Sequence, residues 1–373
     1  MRCYCTQMAN MTYENSTANS TNVNSTQAVT GSIFDPAWQM VLTVEVYFAY
    51  FVIAIGIFGT AANATVLYAL IAHHAHDAKK RAINLLIINQ NILDLSSCVL
   101  LVITVCMQNG EIQISGTLGY FLCLIFMNGT AGLCVLYGSI INLVAVTLER
   151  YLKVVHAIWS KAHLKRWMIH AAMAFAWIGG FATATPVYAM MTRVEKGYCA
   201  AYFESLVSDY IYKSCNLILF FLFPLLIFIY CYSRIMMVIR RQMRVMAGHN
   251  VEGSSQMTAS QAQSKRVKWN IIKTMIIVTV AFVICWLPVN LWLLLMSFLQ
   301  SRILVVGFYP VFFLVYINIC INPFIYALKH EGIKQQLARL MVCCKPINVG
   351  DTSGSSSNRA GGTQQTRNKA AHN

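Results

Sequence analysis

The chain has 373 residues, 57% of them hydrophobic and only 11% charged. A soluble domain is about one quarter charged, so the composition excludes an ordinary water-soluble enzyme and points to an integral membrane protein. The formal net charge of +15 is then not a nucleic-acid signal; what matters is the side of the bilayer on which the basic residues fall.

Residues 1–41 are polar at the start and lack the apolar core of a signal peptide. The first apolar helix is therefore expected to act as the targeting signal. Four N-x-S/T sequons, at Asn10, Asn15, Asn19 and Asn24, mark this segment as extracellular and glycosylated, because glycans are added on the lumenal face. Asn63 and Asn128 also fit the pattern, but Asn63 falls inside a span and Asn128 near the outer end of another.

Seven apolar segments follow, at 42–71, 83–107, 118–148, 168–190, 211–239, 270–298 and 303–328. A bilayer needs about 20 apolar residues per crossing, so each segment spans it with some tilt. The expected fold is an all-α seven-transmembrane helix bundle over 42–328, and no sustained internal repeat of the transporter kind is visible. Lys and Arg collect in alternate connections: Lys79, Lys80 and Arg81; Lys153, Lys161, Lys165 and Arg166; Arg234, Arg240, Arg241, Arg244, Lys265, Arg266 and Lys268. By the positive-inside rule that side is cytoplasmic. The N-terminus is then outside, the C-terminus inside, and the plasma membrane the expected location.

Beyond the last span, residues 329–345 place Ile333, Leu337, Leu340 and Met341 on one helical face. This predicts a short amphipathic eighth helix lying on membrane lipid. Cys343 and Cys344 follow it, placed either for palmitoylation or as two free thiols. Residues 346–373 read as a disordered cytoplasmic tail, and 246–264 as a polar break in an inner loop.

Polar groups within the spans are functional candidates, because burying them in lipid is costly. Asp94 lies in the middle of the second segment, in NLLIINQNILDLSSC. Ser139, Asn318 and Asn322 offer oxygens at a similar depth, and hard cations favour such clusters. A sodium site is one reading of Asp94; a carboxyl bonded to neighbouring helices is the other. Pro224, Pro288 and Pro323 each remove a helical hydrogen bond, as hinges or as static kinks. Cys123 and Cys199 lie near outer span ends, where the oxidising exterior permits a bridge; otherwise both stay thiols.

These motifs together resemble the rhodopsin-like (class A) G-protein-coupled receptors, over roughly residues 45–345. LERYLKVVH is similar to the family's motif at the inner end of helix three, with Glu149, Arg150 and Tyr151. Phe282, Trp286 and Pro288 match the helix-six motif, and Asn322, Pro323 and Tyr326 the helix-seven motif. Asn63, Asp94, Trp177 and Pro224 occupy the corresponding positions of helices one, two, four and five, and Tyr232 that of a switch tyrosine. The resemblance implies that Glu149 pairs with Arg150 at rest. On activation Arg150 swings out, held by Tyr232 and Tyr326, to form the G-protein cavity. It also implies that Asp94, Ser139, Asn318 and Asn322 form an allosteric sodium pocket, with no other cofactor required. There are departures. Cys123 lies two residues farther from Arg150 than is usual, Ala62 replaces a Gly, and Lys268 stands where an acid can lock Arg150.

Ligand class is bounded by exclusion. Tyr316 replaces the lysine that holds retinal, and Gly132 the aspartate that binds amines. The sequon-rich N-terminus and the loop TRVEKGYCAAYFESLVSDY accommodate a peptide. Glu111, Glu195, Glu204 and Asp209 are either contacts for a basic peptide or solvated loop charges. A small molecule or lipid is the other ligand class. The competing functional class is a transporter or channel with Asp94 as its coupling-ion site. His73, His74 and His76 are read as a cationic face beside Lys79 and Lys80, not as an enzyme's metal site.

Overall fold

A computed structural model describes residues 36–74, 85–110, 112–249, 259–298 and 302–329. The sequon asparagines, Cys343, Cys344, the expected amphipathic helix and the tail lie outside the described residues, as do the side chains of Lys268 and Tyr326.

Among the described residues seven helical rods run in chain order. The first is Pro36–His74 and the second Leu85–Asn109. The third is composite: Gly116–Leu122, a π-helical turn Cys123–Met127, then Thr130–Val155. After a short connecting helix, Ala157–His163, the fourth is Arg166–Met191. The fifth joins Leu206–Leu217 through a π-helical turn Ile218–Leu222 to Phe223–His249. The sixth is Ala259–Phe298 and the seventh Arg302–Lys329. Among the described residues six helices are long and apolar enough to cross a membrane, and the seventh rod carries a shorter apolar stretch, Tyr309–Ile325.

The helices close into a ring. The first packs on the second and seventh, the third on the second, fourth and fifth, and the sixth on the fifth and seventh. Polarity is inverted relative to a soluble bundle. Phe175, Ile178, Leu226 and Ile229 face outward, whereas Asn63, Asn89, Gln90, Asn91, Asp94, Asn142 and Asn322 are buried. Lipid solvates the apolar exterior, so the interior polar groups must satisfy one another.

Glycine sets the closest approaches. A Cβ on Gly180 of the fourth helix would fall 2.1 Å from the carbonyl oxygen of Cys134 and 2.8 Å from the nitrogen of Gly138 on the third. Small residues let two backbones meet in this way. The prolines act locally: Pro224 follows the π turn of the fifth helix, while Pro288 and Pro323 sit inside the sixth and seventh. Pro186 and Pro310 are further intrahelical prolines, in the fourth and seventh helices.

On one end of the ring lies a hairpin, β1 Thr192–Glu195 and β2 Tyr198–Ala201, antiparallel. Its two-residue turn, Lys196 and Gly197, has φ of 52° and 85°. Both values are left-handed, as a type I′ hairpin turn requires.

Candidate functional site

The centre of the bundle is a polar spine. Asp94 is fully buried, and both of its carboxylate oxygens accept hydrogen bonds. Ser139 Oγ donates to Oδ1 at 2.8 Å, and Asn322 Nδ2 to Oδ2 at 2.8 Å. Gln90 Nε2 donates to Oδ1 at 3.1 Å and to Oδ2 at 3.4 Å. The second, third and seventh helices are thus tied at one carboxyl. The spine continues away from Asp94: Asn142 Nδ2 donates to Gln90 Oε1 at 2.8 Å, and Asn89 Nδ2 to Asn142 Oδ1 at 2.9 Å. The indole of Trp177 on the fourth helix donates to Asn89 Oδ1 at 3.1 Å. Nearby, Asn63 Nδ2 bridges Gly59 O and Ile319 O at 3.0 and 3.1 Å, joining the first helix to the seventh. Complete burial and these bonds place Asn63 beyond reach of a glycan.

Toward one side of this spine, aromatic residues fill the space between the third, fifth and sixth helices. Phe282 packs edge-on against Phe228 at 5.4 Å and parallel to Phe221 at 5.9 Å, and reaches Trp286 at 6.1 Å. Trp286 is buried, and among the described residues its indole N–H has no hydrogen-bond partner. Pro288 lies two residues beyond it in the same helix. The stack is close-packed, so its members cannot shift singly without repacking their neighbours.

The basic end of the bundle carries Glu149 and Arg150. Glu149 is buried and shared: its Oε2 lies 3.7 Å from Arg150 Nε, while Oε1 pairs with Lys153 one turn on. Among the described residues Glu149 is the one acid paired with Arg150. Tyr232 from the fifth helix meets Thr147 of the third through a 2.8 Å hydroxyl contact and bonds Thr279 of the sixth. Its phenol therefore already links the third, fifth and sixth helices. Tyr151 turns away, toward His156 and Tyr230.

At the opposite end Cys123 and Cys199 are joined by a disulfide. It fastens the hairpin to the third helix, helped by a 2.7 Å bond from Asn128 Nδ2 to Thr192 Oγ1. The two extra residues between Cys123 and Arg150 are taken up by the π turn and by the break at Asn128–Gly129, where Gly129 adopts φ 71°. The extra length therefore leaves the bridge intact. Below the hairpin, Tyr137 stacks on Phe220 at 3.7 Å and hydrogen-bonds Asn216 and Tyr212. The acids at the hairpin end have intramolecular partners: Glu204 with Arg193 at 3.0 Å, Asp209 with Lys213 at 2.6 Å, and Glu195 with Tyr202 at 2.5 Å. That last bond holds the Tyr202 phenol above its ordinary pKa. Glu111 lies outside the described residues. Glu45 lines a small cleft with Phe48, Val52, Val105 and Gln108, between the first and second helices. Cys199→Ser is expected to free the hairpin, at a cost of about 2–4 kcal/mol. Limited proteolysis should then cut near Lys196, and a hairpin as resistant as the wild type would contradict that account.

The sequence model of the 7 transmembrane receptor (rhodopsin family) matches residues 62–326. The chain belongs to the rhodopsin family of seven-transmembrane receptors. Relatives are distant. The substance-K receptor of Bos taurus is 24% identical over 325 residues, covering 83% of this chain and 77% of that protein. The allatostatin-A receptor of Bombyx mori is 25% identical over 323 residues, covering 82% and 81%. The tachykinin-like peptides receptor 86C of Drosophila melanogaster is 24% identical over 226 residues, covering 55% and 42%. These proteins are signalling receptors, not enzymes.

The receptor brings together many of the residues expected from sequence: Asp94 with Ser139 and Asn322, Glu149 with Arg150, Phe282 with Trp286, and Cys123 with Cys199. Asn318 is buried but is not among the described groups bonded to Asp94. Gln90, Asn142 and Thr147 were not anticipated. Gln90 had a signal, since it stands four residues before Asp94 and so on the same helical face. It also bears on the expected sodium ion. A bound cation needs oxygens pointing at it, yet the carboxylate of Asp94 is met by two amide nitrogens and a hydroxyl. As arranged, these side chains do not fit a sodium ion.

Proposed function

We propose that this receptor carries an extracellular peptide signal across the plasma membrane to a heterotrimeric G protein, with its N-terminus outside and its C-terminus in the cytoplasm. The observation that carries this reading is the arrangement around Arg150. One buried acid restrains it, and Tyr232 stands ready on the adjoining helix. In the proposed cycle, agonist contacts near Tyr137 shift the Phe282–Trp286 stack and the sixth helix swings about Pro288. Arg150 then leaves Glu149 for Tyr232 and Tyr326, opening the cavity for the G protein. An agonist shifts this equilibrium only as far as it binds the active state better, and a bound G protein raises agonist affinity in return.

A peptide is favoured because the relatives are named for peptides and because a disulfide-fastened hairpin offers a firm rim for an extended chain. The intramolecular pairing of Glu195, Glu204 and Asp209 argues against recognition by a simple acidic collar. The test is a peptide library screened on cells that carry a promiscuous G protein, with nucleotide exchange as readout. At least one peptide should raise exchange, in a saturable manner and only in receptor-expressing cells. Activation by lipids or small molecules alone would overturn the peptide assignment. Substrate flux through the purified protein without any exchange response would favour the transporter reading.

A further inference from the structure

We propose that the carboxamide of Gln90 is a built-in neutral substitute for a cation beside Asp94, and that it makes this receptor insensitive to sodium. Amide nitrogen and oxygen are told apart only by their partners, and here the partners leave one solution. The indole of Trp177 can only donate, so the Asn89 atom it meets at 3.1 Å is the oxygen. Asn89 Nδ2 then donates to Asn142 Oδ1. Asn142 Nδ2 in turn donates both to Leu86 O at 3.0 Å and to Gln90 Oε1 at 2.8 Å. The remaining end of Gln90, its NH2 group, must face Asp94. One N–H reaches the carboxylate and the other Ser139 Oγ at 2.5 Å.

The NH2 group therefore caps the directly bonded Asp94–Ser139 pair, touching both oxygens that a shared cation would need. It supplies two positively polarised hydrogens and no ligand oxygen. Turning it away would strand a donor on Asn142 and acceptors on Asp94, all fully buried. The relay from Trp177 to Asp94 thus works as an orientation lock, and the residue it orients closes the cation position. The readout below requires neither agonist nor G protein, so it can fail independently of the proposed signalling role.

The experiment is thermal unfolding of the purified full-length receptor in lipid nanodiscs, followed by dye labelling of the buried cysteines Cys98, Cys134 and Cys285. Sodium chloride is exchanged for N-methyl-D-glucamine chloride at a constant ionic strength of about 0.15 M. The wild type is expected to unfold at the same temperature in both salts. Gln90→Leu removes the amide, and its Tm should rise by about 2–4 °C in sodium. Adding Asp94→Asn to that variant should abolish the rise. Sodium-dependent stabilisation of the wild type that disappears in Asp94→Asn would overturn the proposal. A folded Gln90→Leu receptor indifferent to sodium would equally remove Gln90 as the excluding group. If Gln90→Leu yields no folded protein, the wild-type and Asp94→Asn pair decides alone.

Discussion

Arg150→Ala is expected to abolish agonist-driven nucleotide exchange while leaving the receptor at the cell surface. The guanidinium is partly exposed at the basic end of the third helix, and its one described ion pair is long, at 3.7 Å. Loss of such a pair costs the fold about 1 kcal/mol or less. If Arg150 meets the G protein as proposed, its loss removes the coupling itself. Intact signalling at normal surface density would break the proposed switch. Two neighbours refine the test, because Glu149 divides its carboxylate between Arg150 and Lys153. Glu149→Gln releases Arg150, and basal exchange should rise roughly five-fold, the equivalent of about 1 kcal/mol in the resting equilibrium. Lys153→Gln leaves Glu149 to Arg150 alone, and basal exchange should fall. Basal rates that move in the same direction in both variants would contradict a shared carboxylate.

Gly180→Val should prevent the receptor from folding. The added Cβ would press on the backbone of Cys134 and Gly138, which cannot rotate away as a side chain could. Overpacking of this kind costs about 1–3 kcal/mol in ordinary cores, where side chains give way, and more where the obstacle is main chain. Surface immunostaining should drop to background, with the protein retained inside the cell. Gly132→Ala on the same third helix is the control: its Cβ would meet only Leu100 Cβ, at 3.9 Å, an ordinary contact. Normal surface expression of Gly180→Val would show that the third and fourth helices can separate there.

The spans were legible because a bilayer imposes a length and a composition on every crossing. Their ends were not. The fifth helix runs Leu206–Leu217 and on to His249, beyond the 211–239 read from apolarity, because it continues through the charged Arg240, Arg241 and Arg244. The sixth likewise begins at Ala259 and not near residue 270. Hydropathy records what lipid requires, whereas a helix is continued by its own backbone hydrogen bonds. The motif residues were readable one helix at a time. The relay Trp177–Asn89–Asn142–Gln90 was not, because each bond crosses between helices distant in sequence. The close contact at Gly180 was missed for the same reason: nothing in GGFATATP says which backbone lies opposite.

The π turn and the left-handed Gly129 also decide how positions can be carried over from one receptor of this family to another. From Thr130 to Val155 the third helix is unbroken, so counting back from Arg150 holds an even helical register as far as Tyr137 and Gly132. Past Gly129 the count slips by two. A ligand-contact map transferred without that offset would assign Met127 and Asn128 to roles that belong two residues nearer Cys123. Mutagenesis planned on such a map would probe the wrong side chains beside the disulfide-fastened hairpin.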